Sequence, residues 1–297
     1  MRMAVQSAPW HHEKVLSRVG RAVRLALPGR VLRHVCTWTL LLYIVMALFG
    51  PWLAPYSATT FDMANVLKAP TWLHPFGTDV YGRDVLSRVV VGAQSILGLS
   101  LLATVLGVSI GCAVGMCAGY LGGFIDELVM RLMDVMLALP GLLLALLIMT
   151  SLGSSAVNLV LSISIVFIPK SARVSRSAIL PFRSLGFVDA ARMRGSNWAS
   201  IVFRELMPNI RGELLVEFCL RFAYALLLIS SLGFLGFGVQ PPTPDWGLMI
   251  SESRNFITVA PWTVLFPALS IGLAVVAVSS MADLLSAGGA TDARRGL

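Results

Sequence analysis

The hydrophobic and polar positions of this chain alternate in long blocks, not in single residues. Six apolar segments stand out, at about Cys36–Leu53, Ser95–Ala118, Val135–Leu152, Ala156–Ala172, Leu214–Val239 and Trp262–Leu285. Each approaches or exceeds the ~20 residues that a helix needs to cross the hydrocarbon layer. The fourth has the shortest uninterrupted apolar stretch and ends around Pro169, and the third contains Pro140. The longest polar interval falls between the fourth and fifth segments. Within it, Phe187 to Asn209 reads as two short helices with a hinge. Phe187 to Arg194 favours a helix, which Gly195 can stop in a left-handed conformation. Ser196 is the expected N-cap of the second helix and Pro208 its expected end. Trp198, Ile201, Val202 and Leu206 recur at helical spacing and predict one apolar face. Such a helix pair is either a loop folded on its own protein or a docking site for another subunit.

Composition agrees with the block pattern. Of the 297 residues, 57% are hydrophobic and 13% charged, with mean hydropathy +0.80. Soluble domains are about half apolar and a quarter charged, so this is an all-α integral membrane protein. The connecting segments are too short for a second soluble domain. The first apolar run is too long for the core of a cleavable signal peptide, and no small-residue cleavage pattern follows it.

The net charge of +8 follows topology and is not a nucleic-acid footprint. With the N-terminus inside, eighteen of the 23 Lys and Arg fall on inner segments. Only Lys68, Arg83, Arg88 and Arg254 fall outside, and Arg221 lies within the fifth segment. That asymmetry places both termini and the Phe187–Asn209 element in the cytoplasm. The chain then divides into a basic segment 1–35, a membrane domain 36–286 and a tail 287–297. The membrane domain carries a cytoplasmic loop 173–212 and external loops 55–94 and 238–261. Val15, Leu16, Val19, Val23 and Leu27 share a face among basic residues, which predicts a helix lying on an anionic lipid surface.

The outer loops have their own signals. Gly77 and Gly82 break the chain, and Asp79 and Asp84 can cap a helix or pair with Arg83 and Arg88. Val85, Leu86, Val89 and Val90 predict a helix lying at the outer surface. QPPTPDWG reads as a stiff turn, with Trp246 and Trp262 as interfacial anchors. In the second segment, Ala103, Gly107, Gly111, Gly115 and Gly119 are spaced by four on one helix face. Small residues at that spacing admit another helix backbone, within the chain or across a subunit boundary. In the fifth segment, Glu217 and Arg221 make a favourable i,i+4 pair, with the Arg near the inner end where it can snorkel.

Several chemistries are missing. None of the three lysines sits in a phosphate-cradling GxxxxGK[ST] loop, and neither HExxH nor GxSxG occurs. His11, His12, His34 and His74 form no metal-ligand pattern, and Cys36, Cys112, Cys117 and Cys219 lack zinc or redox spacing. The expectation is no catalytic residue, no metal and no cofactor on this chain. Segment centres almost free of acids and bases argue against a self-powered, ion-coupled carrier. What remains is a passive pore or a pathway powered by another subunit.

At this point the residues resemble a known family. DAARMRGSNWASIVFRELMPN is similar to the coupling loop of ATP-binding-cassette importer permeases: Glu-Ala-Ala, three residues, Gly, then about ten residues to Leu-Pro. Here Asp189 stands for the Glu, Ala190 and Ala191 match, Gly195 is in register, and Met207-Pro208 stands for Leu-Pro. Glu205 stands where the family more often has His. HPFGTDVYGRDVLSRVVVGAQSIL, AGYLGGFIDELVMRLMDVMLALPGLLLA and LGFLGFGVQPPTPDWGLMI resemble the C-type permease of the dipeptide, oligopeptide and nickel branch, collinearly over residues 36–286. The resemblance implies a type I importer permease fold of six transmembrane helices. It implies a second homologous permease, two ATPase subunits that hold ATP and magnesium, and an extracytoplasmic substrate-binding protein. It also implies import of di- or oligopeptides, with nickel or a metal chelate as the alternative. Asp189, Ala190, Ala191, Gly195 and Pro208 would shape an element that enters a groove on the ATPase, and Arg192 and Arg194 would pair with acids there.

Overall fold

A computed structural model of the chain describes the backbone of residues 29–295 and the side chains of residues 35–286. The basic segment expected to lie on lipid is mostly outside the described residues. Among those residues, five helical stretches are long and apolar enough to cross a membrane, and a bent pair supplies a sixth crossing. In order they are α1 (Gly29–Leu53), α2 (Val85–Leu121), the pair α3 (Gly123–Leu137) and α4 (Gly141–Leu152), α5 (Ala156–Ile179), then α6 (Gly186–Met193) and α7 (Trp198–Ser200) in the polar interval. α8 (Arg211–Phe234), α9 (Trp246–Ser253) and α10 (Trp262–Arg295) complete the chain.

The expected boundaries shift where sequence cues were local. α2 has 37 residues, about 55 Å at the usual helical rise. The predicted surface helix at Val85–Val90 is therefore the outer end of this membrane helix. Val85, Val89 and Val90 are buried there instead of facing lipid headgroups. Asp84 caps it, taking hydrogen bonds from the Ser87 N–H and hydroxyl at 2.8 and 2.7 Å. α5 runs through Pro169 to Ile179, so Lys170, Arg173 and Arg176 lie on its inner third and not in a loop. α8 ends at Phe234, five residues before the expected limit.

The third segment is broken at Pro140. A proline removes a backbone donor and clashes with the preceding turn, and here α3 and α4 meet at 82°. α3 is amphipathic. Its Asp126 takes hydrogen bonds from Arg176 at 2.5 and 2.6 Å, and Asp134 pairs with Arg173. Phe124, Leu128, Leu132 and Val135 face outward.

The core has two parts. The larger gathers Val89, Ile96, Phe167, Leu226, Ile229 and Trp246 with their neighbours from the long helices. The smaller, at the cytoplasmic ends of α2 and α5, gathers Met116, Tyr120 and Ile179 with residues of the polar interval. The seam between α2 and α5 is the most extensive helix contact among the described residues. A Cβ built on Gly107, Gly111 or Gly115 would stand 2.7, 2.6 or 2.0 Å from a carbonyl oxygen of α5. The Ser164 hydroxyl donates to the Ala103 carbonyl at 3.1 Å, and Gly119 faces Ile179. The whole small-residue ladder, Ala103 to Gly119, faces a helix of its own chain.

At the outer end, a buried ion-pair network replaces the simple pairs expected. Arg83 Nε donates to Asp79 Oδ2 at 2.7 Å, and Arg88 reaches the same carboxylate. Both arginines also donate to Glu252 on α9, at 2.8 and 3.2 Å. Trp246 is not an interfacial anchor: it is fully buried and donates its indole N–H to the Val89 carbonyl at 2.9 Å. Trp262 is half-buried and donates to Thr78 at 3.2 Å. In the inner half, Glu217 is buried, taking hydrogen bonds from Arg221 at 2.6 Å and Ser171 at 2.9 Å. Arg221 thus points inward to an interior partner and does not snorkel.

Candidate cytoplasmic docking site

The polar interval is built as a hinge with two faces. α6 ends at Met193, and its last turn is closed by the Gly195 N–H on the Arg192 carbonyl (2.9 Å) and the Ser196 N–H on the Ala191 carbonyl (3.1 Å). This pair of bonds is the Schellman closure, which requires a left-handed residue after the helix. Gly195 supplies it, at φ +78°. The N-cap of the next helix is Asn197, not Ser196: its side-chain oxygen accepts from the Ser200 N–H at 2.7 Å. α7 then widens into a π-turn over Ile201–Leu206 and tightens into a 3-10 turn over Met207–Ile210. Pro208 stands at the start of that tight turn and leads into α8 instead of ending a helix. Its missing N–H costs little there.

The inner face anchors the element. Val188, Ala191, Ile201, Val202, Leu206 and Ile210 are buried against Met116, Tyr120 and Ile179. Ala191 is therefore a packing residue within this chain, and Ala190 is half-buried. Trp198 is half-exposed and does not share the buried face of Ile201, Val202 and Leu206.

The outer face is left uncovered. Asp189, in the first turn of α6, suits the positive end of the helix dipole and accepts from Arg192 at 3.1 Å. Arg192 Nε also donates to the Tyr120 hydroxyl at 3.1 Å. That hydrogen bond, helped by the nearby Asp189 carboxylate, pushes the guanidinium pKa further up and keeps it charged. Arg194 reaches Glu205 at 3.4 Å. All these charges stay exposed, beside exposed Met193, Trp198, Phe203 and Met207. The apolar part of this patch was not legible in the sequence, where helical spacing assigned Trp198 to the buried face. Met193, at 85% exposure, shows how openly a large apolar side chain is presented. Exposed apolar side chains rimmed by charge mark interaction surfaces.

Among the described residues, no three His, Cys, Asp or Glu side chains converge as for a metal ion.

Comparison with known proteins agrees with this architecture. The family described as binding-protein-dependent transport system inner membrane component matches residues 107–288. The N-terminal TM domain of oligopeptide transport permease C matches residues 34–70. The chain is 43% identical over 244 residues to the glutathione transport system permease protein GsiD of Shigella flexneri, covering 82% of this chain and 80% of that one. It is 40% identical, with the same coverage, to the protein of that name from Escherichia coli. A structure of the inward-facing MetNI methionine ABC transporter aligns with TM-score 0.52 at 16% identity, covering 68% of this chain and 96% of that one. A second crystal form gives 0.51 at 17% identity, with 67% and 97% covered. The chain belongs to the binding-protein-dependent inner-membrane components, and is a permease of an ATP-binding-cassette importer.

Proposed function

We propose that this chain forms one half of the pathway of a peptide importer and that Phe187–Asn209 is the element through which a separate ATPase drives it. The second half is a homologous permease. Two ATPase subunits hold the ATP and magnesium, and an extracytoplasmic binding protein delivers cargo. This chain itself performs no catalysis. Peptide-type cargo is supported by the names of its relatives, which carry glutathione, and by the match to oligopeptide permeases.

The observation that carries the coupling reading is the two-faced hinge. One face is locked into the core formed by α2 and α5, and the other shows Met193, Trp198 and Arg194 to the cytoplasm. A push on the outer face reaches the membrane helices because the inner-face residues are buried against α2 and α5. ATP-driven closure of the ATPases would swing these elements and turn the pathway from inward- to outward-facing.

Gly195→Phe tests it. Nothing lies within 4 Å of a Cβ there, but φ +78° is forbidding to a side chain. ATP-dependent uptake of a labelled peptide should fall at least tenfold while membrane insertion stays normal. Unchanged uptake would remove the coupling role.

A further inference from the structure

The loop between α1 and α2 carries two large apolar side chains at the tip of a closed turn. The Thr71 N–H donates to the His74 carbonyl at 2.9 Å, and the His74 N–H donates to the Thr71 hydroxyl at 3.1 Å. Trp72 and Leu73 stand between them, the indole fully exposed and the leucine largely so. Pro70 and Pro75 flank the turn and stiffen it. His74 fixes where the turn sits. Its Nδ1 lies 2.9 Å from Asp84 Oδ1 at the start of α2, and its ring lies 4.7 Å from the ring of Tyr56. Tyr56 is three residues past the end of α1. The tip therefore lies beside the outer end of α1.

α1 is the least buried of the five long crossings. One of its faces packs on α2 and α10: the Tyr43 hydroxyl donates to the Ser270 carbonyl at 2.9 Å, and Gly50 sits against the backbone of Val90. Leu41, Leu42, Leu48, Phe49 and Trp52 form the opposite face and are exposed. In an inner-membrane component that face meets acyl chains. Exposed apolar side chains run on from it through Leu53 to Tyr56, and the Tyr56–His74 contact brings Trp72 and Leu73 into the same band. We propose that Trp72 and Leu73 are a lipid anchor, seated among the headgroups of the leaflet at the outer end of α1.

The chemistry fits this use. An indole in the headgroup layer takes its apolar body out of water and keeps its N–H among polar acceptors. Trp52 and Trp72 thus take the interfacial role that the sequence suggested for Trp246 and Trp262, whose indoles are turned to backbone carbonyls. The closed turn is ordered before it meets lipid, so little chain freedom is lost on seating. No carboxylate lies between Val66 and Thr78, and Lys68 is exposed at the base of the turn. Nothing there repels an anionic headgroup, and Lys68 attracts one. The anchor does not depend on the identity of the cargo.

The test uses the complete importer, with its native partner subunits and binding protein, in liposomes of phosphatidylethanolamine and phosphatidylglycerol. A photo-crosslinker is placed at Trp72, and the masses of the adducts on this chain are read after illumination. A phospholipid adduct is the expected result. An adduct to the binding protein or to the second permease in its place, or no adduct at all, overturns the anchor. Tryptophan fluorescence supplies a second readout, in the same liposomes made with plain or with brominated acyl chains. Bromine quenches an indole that reaches the bilayer. Trp72→Phe keeps an aromatic ring at an exposed position, and every other tryptophan is common to variant and wild type and cancels. The substitution should remove fluorescence in plain lipid and remove much less in brominated lipid, where Trp72 is already quenched. Equal losses in the two lipids would put Trp72 in water or against protein and overturn the proposal.

Discussion

The carbonyl oxygen of Ala172 stands 2.0 Å from where a Cβ on Gly115 would fall. The obstacle is backbone, so no rotamer change relieves it. Gly115→Ala must push α2 and α5 apart along this seam. Overpacking of this kind costs about 1–3 kcal/mol. The expected outcome is a lower unfolding temperature and less chain recovered from membranes. Gly98→Ala on the same helix is the control. Nothing lies within 4 Å of its Cβ position, so it should be neutral or slightly stabilising.

Glu252 holds two arginines. With Asp79 it closes a network in which Arg83 and Arg88 are 5% and 2% exposed. Glu252→Gln leaves two buried cations facing one carboxylate. Breaking a buried pair costs about 3 kcal/mol, and α9 should detach from the loop before α2. Limited proteolysis from the external side should then cut between residues 240 and 260 faster than in the wild type. An unchanged cutting rate would mean that Glu252 does not hold α9 in place.

Asp245, at the start of α9, gives a pH signature. Its Oδ1 accepts from the Leu248 N–H at 2.9 Å, and its Oδ2 is buried without a protein partner. Burial pushes its pKa up from 3.8 to about 6, against the lowering effect of the Leu248 and Gly247 amides and of Arg88. The folded state therefore holds this proton more tightly than the unfolded one. Below pH ~4 both states are protonated and the group contributes no penalty. As pH rises through 4 to 6 the unfolded state loses its proton first, and stability falls by about 3 kcal/mol for two pKa units. Asp245→Asn keeps the cap and removes the titration. The difference in unfolding temperature between Asp245→Asn and wild type should be near zero at pH 4 and favour the variant at pH 7. A difference independent of pH would contradict the assignment.

The crossings and the hinge at Gly195 were legible, because hydropathy and a single left-handed residue act locally. The spacing from Asp189 to Gly195 to Pro208 located the two-faced hinge between α5 and α8. What sequence could not supply was which neighbour each face meets. Pro169 reads as a helix end but is carried inside α5 by packing against α2. Trp246 reads as a membrane-interface residue, yet the Val89 carbonyl gives its indole a buried partner. Ala191 matches a named position of the motif and is spent on the core, while Met193 and Phe203, at positions the motif leaves open, carry the exposed surface. The small-residue ladder left two partners open, and only the geometry of α5 resolved it.

The most direct test of the coupling claim is a photo-crosslinker placed at Met193 in the assembled importer. Met193 is 85% exposed at the tip of α6, and Trp52, 80% exposed at the opposite end of the membrane domain, serves as control. The account predicts an adduct between the Met193 position and the ATPase subunit, with a yield that changes when ATP is added, and none from Trp52. Absence of an ATPase adduct at Met193, with the complex intact, would contradict it.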